Sequence, residues 1–335
     1  MRTKENIAPC YNGKMKFSFS FSIVVVILSC IILGLLIFLN TSFTGFGHYM
    51  FSPLPSFLTL SDNSQVTTLD LWQPADILAA TTNSLPILTA KSALSYDMTS
   101  DTILLEKNAS SQVPMASLTK IMTAIVALEH PLQSNKYVVE GKDLVGEDSM
   151  GLDRGEVLSL DELLYGLILH SGNDAAEVLA DNFPGGRENF VTAMNLKAAS
   201  LGLTHTHFTN PTGLEGDGHQ YTTARDLVVI TAYALHQFPL FAKVAATVDV
   251  TLPQTATHKE YDLENETNLL TSYPGVKGIK TGYTPEAGLC LVTYLDYGGH
   301  KILAVILGSE DRRQEMKDIL DFSLKELAIV PPKHE

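Results

Sequence analysis

A serine and a lysine stand three residues apart in the stretch VPMASLTKIMTAIVALEH, which covers residues 113–130. The apolar residues that follow them recur with helical spacing, and residues three apart on a helix lie on the same face. A serine hydroxyl is a weak nucleophile unless a base takes its proton, and a lysine is such a base only when it is neutral. Ser117 and Lys120 are therefore candidates for a nucleophile and its base, provided that burial and a second cation lower the lysine pKa.

Two further motifs give this pair a context that its spacing alone lacks. By itself the spacing is weak, because a serine that opens a helix is usually just an N-cap. Ser171-Gly172-Asn173, however, lies between two helical patterns, and Lys280-Thr281-Gly282 lies on a strand pattern. The three motifs in this order are much less expected by accident, which indicates a reactive centre in which Ser117 is both the N-cap of its helix and the nucleophile.

The elements that must position these motifs follow from hydrophobic periodicity. Strand patterns come first, a mainly helical middle follows, and strands return before a closing amphipathic helix. This order predicts an α+β domain with an antiparallel sheet and helices packed on it. Strands are predicted at Ser92–Asp97, 102–105, 247–252, 277–281, 289–297 and 300–307, and helices after Ser117 and at 160–170, 174–182, 187–201, 223–237 and 311–327.

The N-terminal part of the chain predicts a membrane anchor. Residues 17–39 carry no charge and, at about 1.5 Å per helical residue, span roughly 35 Å, which is enough to cross a bilayer. Residues 1–16 carry four basic side chains against one acidic one, so the positive-inside rule keeps them in the cytoplasm. Residues 40–85 then predict a stalk, 86–328 a folded domain outside the cell membrane, and 329–335 a C-terminal tail. A cleaved signal peptide and lipidation are the alternatives to this single-pass anchor.

Composition argues against one class of partner. The chain has a formal net charge of −14 at pH 7, and an acidic protein repels the phosphate backbone, so no nucleic acid is expected to bind. Of the three cysteines, only Cys290 falls outside the predicted cytoplasmic and membrane segments. No intramolecular disulfide is therefore expected in the outer domain.

The motifs S-x-x-K, S-x-N and K-T-G in this order resemble the signature of the penicillin-recognising serine enzymes. Within that group the chain most resembles the low-molecular-mass penicillin-binding proteins that are serine-type D-alanyl-D-alanine carboxypeptidases. The resemblance covers about residues 88–307. It implies a β-lactamase-like fold, with a five-stranded antiparallel sheet, flanking helices and a helical subdomain. The matching stretches are PMASLTKIMTA, HSGNDAAEVLA, LGLTHTHFTNPTGL, YTTARDL and YPGVKGIKTGYTPEAGLCLV.

The resemblance implies a role for the residues of the first two motifs. Ser117 is the nucleophile that attacks the carbonyl between two terminal D-alanines, and Lys120 is the base for acylation. Ser171 relays a proton to the leaving D-alanine, while Asn173 hydrogen-bonds the substrate amide. The acyl-enzyme is then hydrolysed, so the implied reaction is a two-step peptide hydrolysis that uses neither a metal nor a cofactor.

The third motif and the residue after it are implied to bind the substrate. Lys280 keeps the catalytic lysine neutral and attracts the terminal carboxylate of the peptide, and Thr281 hydrogen-bonds that carboxylate. Gly282 leaves room for the substrate to lie along the strand as an added β-strand. The backbone N–H groups of Tyr283 and Ser117 form the oxyanion hole. The implied partners are a peptidoglycan stem peptide ending in D-Ala-D-Ala and β-lactams, which imitate that end and trap the serine.

Three other functions remain as alternatives. A serine β-lactamase needs a device that activates the deacylating water; Glu188 and Glu215 lie between the second and third motifs, but the sequence around them does not resemble the glutamate loop of those enzymes. A DD-endopeptidase would use the same machinery on crosslinks. A non-catalytic wall-binding module is disfavoured, because such a protein would be free to lose its nucleophile.

Overall fold

The computed structural model of this protein describes residues 84–146 and 148–334. The predicted cytoplasmic segment 1–16, the predicted membrane span 17–39 and nearly all of the predicted stalk lie outside the described residues. Within the described part of the chain, no single helix is long and apolar enough to cross a membrane. One pair of helices, bent by 111° at its break, has the length and composition of a span only when its two members are taken together.

The described residues form nine strands and eight α-helices. The strands are β1 (Ser92–Asp97), β2 (Thr102–Lys107), β3 (Tyr137–Val138), β4 (Val157–Leu158), β5 (Asp249–Leu252), β6 (Tyr261–Glu264), β7 (Val276–Thr284), β8 (Gly288–Tyr297) and β9 (His300–Ser309). The helices are α1 (Thr119–Glu129), α2 (Leu160–Leu169), α3 (Asn173–Asp181), α4 (Gly186–Ser200), α5 (Ala224–Gln237), α6 (Pro239–Ala245), α7 (Leu269–Ser272) and α8 (Arg312–Glu326). A 3₁₀ turn, Ala116–Leu118, leads directly into α1.

Five strands form one antiparallel sheet in the order β2-β1-β9-β8-β7. The central strand, β9, alternates between the two faces, as the pleat of a strand requires. Leu303 and Val305 belong to one apolar core, and Ile302 and Ala304 belong to the other. Because both faces are covered, this strand has the continuous apolar run ILAVIL. β7, which carries the third motif, lies at an edge of the sheet.

Helices cover both faces of the sheet. On one face α8 packs against β8 and β9, where Met316 and Ile319 join the smaller core. On the other face α5 packs against β1 and β9, where Leu227 and Ile230 join the larger core. Full burial of such a side chain is worth about 1.5–3 kcal/mol. The sheet that carries the motif on β7 is therefore packed on both faces.

The first two motifs belong to a helical subdomain built around α1. Residues 119–127 of α1 are all buried, because α2, α3, α4 and α5 all pack against this helix. α2 begins with a capping box: the Ser159 hydroxyl accepts from the Glu162 N–H at 3.4 Å, and the Glu162 carboxylate accepts from the Ser159 N–H at 2.7 Å. The capping box therefore fixes the first residue of α2. The second motif follows the end of this helix, beside α1.

The predicted elements within the described residues are present, with ends shifted by no more than a few residues. The α+β class, the antiparallel sheet and its five strands are confirmed. Hydrophobic periodicity does not predict β6, the short pair β3 and β4, or the helices α6 and α7. The prediction that Ser117 is the N-cap of α1 is wrong: the cap position is Leu118, and no side chain caps either the 3₁₀ turn or the helix.

Candidate active site

Ser117 is the middle residue of the 3₁₀ turn, and only 7% of it is exposed. The preceding residue, Ala116, has a φ of 50°, in the left-handed region that a residue with a Cβ rarely adopts. The turn presents the Ser117 hydroxyl to Lys120 instead of to the helix backbone. A strained residue directly before the candidate nucleophile is typical of functional turns.

Lys120 lies in the first turn of α1 with no exposed surface. Its Nζ is 2.9 Å from Ser117 Oγ, 2.7 Å from Asn173 Oδ1 and 2.7 Å from the backbone O of Thr212. The amide and carbonyl oxygens only accept, so Nζ donates to both of them. A neutral amine has two N–H groups and one lone pair, which leaves the lone pair for the hydroxyl proton of Ser117. The geometry thus fits a lysine that takes a proton from this serine.

The electrostatic surroundings favour the neutral form of Lys120. Burial lowers its pKa well below the usual lysine value, and the positive charge of Lys280 lowers that pKa further. The carboxylates of Asp148, Glu266 and Asp174 raise the pKa of Lys120 without reversing the shift. Burial also lowers the pKa of Lys280, to about 8, so Lys280 keeps its charge at neutral pH. The required pKa shift is therefore present, and burial contributes more to it than the second cation.

Ser171 and Asn173 come to the site from the junction of α2 and α3. Ser171 is buried in the turn between the two helices, with a φ of 56°. Asn173 has no exposed surface; its Oδ1 accepts from Lys120, and its backbone N–H donates to the Asp148 carbonyl at 2.7 Å. The structure therefore brings Asn173 into direct contact with Lys120 and holds Ser171 in the same turn.

Asp174 fixes the loop that packs against this junction, although it belongs to none of the three motifs. Its buried carboxylate accepts from the Ser149 hydroxyl at 2.5 Å and from the backbone N–H groups of Met150, Gly151 and Leu152, each at 3.0 Å. Hydrogen bonds to a charged acceptor are the strong ones. One carboxylate thus holds the backbone of residues 150–152, in the same loop as the Asp148 carbonyl that accepts from Asn173.

The third motif lies on the edge strand β7. Lys280 and Thr281 are 1% and 4% exposed, whereas Tyr283 is 59% exposed. The Thr281 hydroxyl donates to Glu266 Oε2 at 3.0 Å, and Lys280 Nζ lies 3.8 Å from the same oxygen. The motif therefore presents a buried ammonium and a hydroxyl that already share one carboxylate.

Two glycines let backbone segments close around the serine turn. A Cβ on Gly282 would lie 3.1 Å from Ser117 N and 3.2 Å from the Ala116 Cβ. A Cβ on Gly213, which has a φ of 90°, would lie 2.1 Å from the Ala116 carbonyl oxygen. The approach at Gly213 requires glycine, whereas a Cβ on Gly282 would need its neighbours to move by a few tenths of an ångström. The side of Gly282 on which a Cβ would stand therefore faces the serine turn.

Several supporting contacts carry no signature in a sequence motif. Thr212 contributes only a backbone oxygen, and Asn210 shapes its loop by accepting from the Gly213 N–H at 2.7 Å. Arg312, at the start of α8, donates from Nη1 to the Gly282 carbonyl at 2.7 Å. In the sequence, the Thr212 loop is indicated by the stretch LGLTHTHFTNPTGL, which is one of those that carry the resemblance to the family. Among the described residues no group of three or more His, Cys, Asp or Glu side chains is placed to hold a metal ion.

A buried amine, a serine hydroxyl and a second buried cation form a set suited to nucleophilic acyl transfer. A sequence profile of a peptidase family, described as D-alanyl-D-alanine carboxypeptidase (peptidase family S11), matches residues 79–311. The chain belongs to this family. All three motifs of this DD-carboxypeptidase family member lie within the matched residues.

Curated relatives agree with the assignment to the DD-carboxypeptidase family. D-alanyl-D-alanine carboxypeptidase DacF of Bacillus subtilis is 36% identical over 252 residues, which cover 72% of this chain and 64% of the relative. DacB2 of Mycobacterium tuberculosis is 35% identical over 238 residues, covering 70% and 80%. A D-alanyl-D-alanine endopeptidase of Pseudomonas aeruginosa is 36% identical over 212 residues, covering 61% and 66%. The chain thus spans just under two thirds of the length of DacF and of the endopeptidase.

Solved structures of DD-peptidases share the fold. The Streptomyces K15 DD-transpeptidase is 31% identical and superposes with a TM-score of 0.68, covering 72% of this chain and 100% of that one. The D-alanyl-D-alanine carboxypeptidase DacD of Francisella tularensis is 27% identical, with a TM-score of 0.66 and coverage of 72% and 71%. The fold implied by the sequence resemblance is therefore confirmed for the described domain.

Proposed function

We propose that this protein is a membrane-anchored, extracytoplasmic serine D-alanyl-D-alanine carboxypeptidase. It removes the terminal D-alanine from peptidoglycan stem peptides through an acyl-enzyme, and β-lactams acylate it at Ser117. The observation that carries this proposal is the pairing of the Ser117 hydroxyl with a buried amine whose two N–H groups are taken by carbonyl oxygens. Membership of the DD-carboxypeptidase family supports the substrate class.

Acylation begins when Ser117 Oγ attacks the carbonyl carbon between the two D-alanines and its proton passes to Lys120 Nζ. The carbonyl oxygen of the tetrahedral intermediate becomes negative and is bound by the backbone N–H groups of Ser117 and Tyr283. The C–N bond then breaks, and the leaving amine takes the proton, which Ser171 relays. Water attacks the remaining ester with Lys120 as base, which releases the shortened peptide and restores the serine hydroxyl.

Substrate recognition takes place along β7. The position of this strand at the sheet edge supports a peptide that adds as a further strand. Lys280 and Thr281 receive the terminal carboxylate, since an ammonium and a hydroxyl donor together form charge-assisted hydrogen bonds. Asn173 hydrogen-bonds the substrate amide. The peptide then lies with its scissile carbonyl at Ser117.

Anchoring is assigned to the predicted helix at 17–39, with 40–85 setting the distance of the catalytic domain from the membrane. This part of the proposal rests on the length and apolar composition of the segment and on the basic residues before it. Fractionation of cells that express the full chain tests it. The protein should sediment with membranes, and protease added outside the cytoplasmic membrane should digest it; recovery in the soluble cytosol would refute the anchor.

Labelling with a fluorescent penicillin, together with release of D-alanine from a D-Ala-D-Ala peptide, tests the enzymatic proposal. Both signals should appear in the wild type and disappear in Ser117→Ala. Ser111→Ala is the matched control, because Ser111 is an exposed serine shortly before the site. Retained label in a folded Ser117→Ala variant would refute the assignment of the nucleophile. Rapid turnover of the penicillin without a lasting adduct would favour a β-lactamase.

An endopeptidase acting on crosslinks is the second candidate, favoured by the similarity to the P. aeruginosa endopeptidase. The same nucleophile and base would cleave a D-alanyl bond whose amine belongs to a neighbouring stem. Comparing kcat/KM for a stem pentapeptide with kcat/KM for a crosslinked dimer separates the two activities. A higher value for the dimer would overturn the carboxypeptidase assignment in favour of the endopeptidase.

A further inference from the structure

A carboxylate of the protein itself occupies the end of the site where the third motif lies. Glu266 follows β6, and its Oε2 accepts from the Thr281 hydroxyl at 3.0 Å and lies 3.8 Å from Lys280 Nζ. The two motif residues are buried, whereas 37% of the Glu266 side chain is exposed. Glu266 is thus the most accessible member of this group of three.

Lys280 and Thr281 are also the residues that the proposed function assigns to the terminal carboxylate of the substrate. We propose that Glu266 takes the place of that carboxylate in the unliganded protein and must be displaced when the peptide binds. Glu266 is then a specificity-determining residue for the charge at the end of the peptide. This inference rests on the proposed function and adds a residue that none of the three motifs contains.

Displacement follows from the donors available. The Thr281 hydroxyl has one proton and donates to one acceptor at a time, so it does not serve both carboxylates. Two carboxylates beside one ammonium also repel each other. The Glu266 side chain has a route into solvent, while its backbone stays held by the hydrogen bond from its N–H to the Leu169 carbonyl at 3.1 Å. A peptide with an uncharged end meets no such repulsion. Glu266 therefore lowers the ratio of kcat/KM for a peptide with a charged end to kcat/KM for a peptide with an uncharged end.

Removal of Glu266 is therefore expected to raise this ratio. The measured quantity is kcat/KM for a peptide ending in D-Ala-D-Ala, divided by kcat/KM for the same peptide with a C-terminal amide. A hydrogen bond to a charged group corresponds to a factor of about 10 or more in affinity, so the ratio should rise about 10-fold in Glu266→Ala. Glu266→Gln keeps the shape without the charge and should give a smaller rise in the same direction.

The experiment uses the full chain and N-acetyl-L-Lys-D-Ala-D-Ala beside its C-terminal amide. Rates are compared at the pH optimum of each variant, so that a changed lysine pKa does not enter the ratio. Glu264→Gln is the matched control, because Glu264 is exposed at the end of β6 close to Glu266. This control should leave the ratio unchanged.

An unchanged ratio in both Glu266 variants would overturn the inference. A selective fall for the acid-ended peptide would overturn it too, because Glu266 would then position Thr281 for substrate instead of competing with it. If Glu266→Ala does not fold, the ratio for Glu266→Gln decides. Failure of the proposed function looks different: the wild type then neither releases D-alanine nor binds penicillin covalently, and this inference falls with it.

Discussion

Replacing Gly213 by alanine tests whether the loop after Thr212 must touch the serine turn. The new Cβ would lie 2.1 Å from the Ala116 carbonyl oxygen and 2.9 Å from Ser117 N, and no rotamer change clears backbone atoms. The φ of 90° adds a strain of about 1–2 kcal/mol for a residue with a Cβ. Overpacking typically costs about 1–3 kcal/mol more. We expect the free energy of unfolding to fall by about 2–5 kcal/mol.

Gly216→Ala is the matched control, because Gly216 lies in the same loop with a φ of 113° and no heavy atom within 4 Å of the new Cβ. It carries the backbone strain alone, so urea unfolding should show a difference of about 1–3 kcal/mol between the variants. If the loop moves instead, Thr212 O withdraws from Lys120, and a misplacement of about 1 Å costs roughly 100-fold in acylation rate. Equal stabilities together with equal penicillin acylation rates would refute the reasoning.

The remaining predictions concern charge and support. The pH profile of kcat/KM should fall on its alkaline side near pH 8, where Lys280, with its pKa of about 8, loses the charge to which the proposed function assigns substrate binding. Lys280→Gln should move the acid limb to higher pH, because loss of this cation raises the pKa of Lys120; an unmoved limb would mean that burial alone sets it. Asp174→Asn should lower the free energy of unfolding by about 1–3 kcal/mol and speed hydrogen exchange in the loop it holds, and unchanged exchange would contradict its role. Arg312→Leu should slow penicillin acylation about 10-fold by freeing the Gly282 carbonyl, and a normal rate would show that α8 does not support β7.

The parts of the site that the sequence predicted are those to which the proposed function assigns a chemical role for the side chain itself. Ser117, Lys120 and Lys280 are residue types that acyl transfer needs, and the apolar periodicity around them predicted the helix and the strand that carry them. The proximity of Lys280 to Lys120 could be inferred, because a neutral lysine needs burial and a nearby cation. The continuous apolar run of β9 and the alternation of the two cores follow from the same patterns.

The parts that the sequence did not predict depend on backbone geometry or on distant residues. Thr212 acts through a carbonyl oxygen, which every residue has, so its type carries no signal. Nothing in the sequence distinguishes Glu266 from any surface glutamate, and only the folded chain brings it to Thr281. The N-cap error has a similar cause: periodicity locates a helix start to within a turn, but it does not reveal the positive φ of Ala116.

The three oxygens around Lys120 Nζ suit both charge states of the amine without movement. A neutral amine donates twice and accepts once; an ammonium donates three times, and only the bond with Ser117 Oγ reverses its direction. In the acylation half of the proposed reaction the amine gains the Ser117 proton while all three oxygens already lie within hydrogen-bond range of Nζ, so no further group has to move in to solvate the new charge. The arrangement therefore keeps the reorganisation energy of proton transfer low, a kinetic effect separate from the lowered pKa.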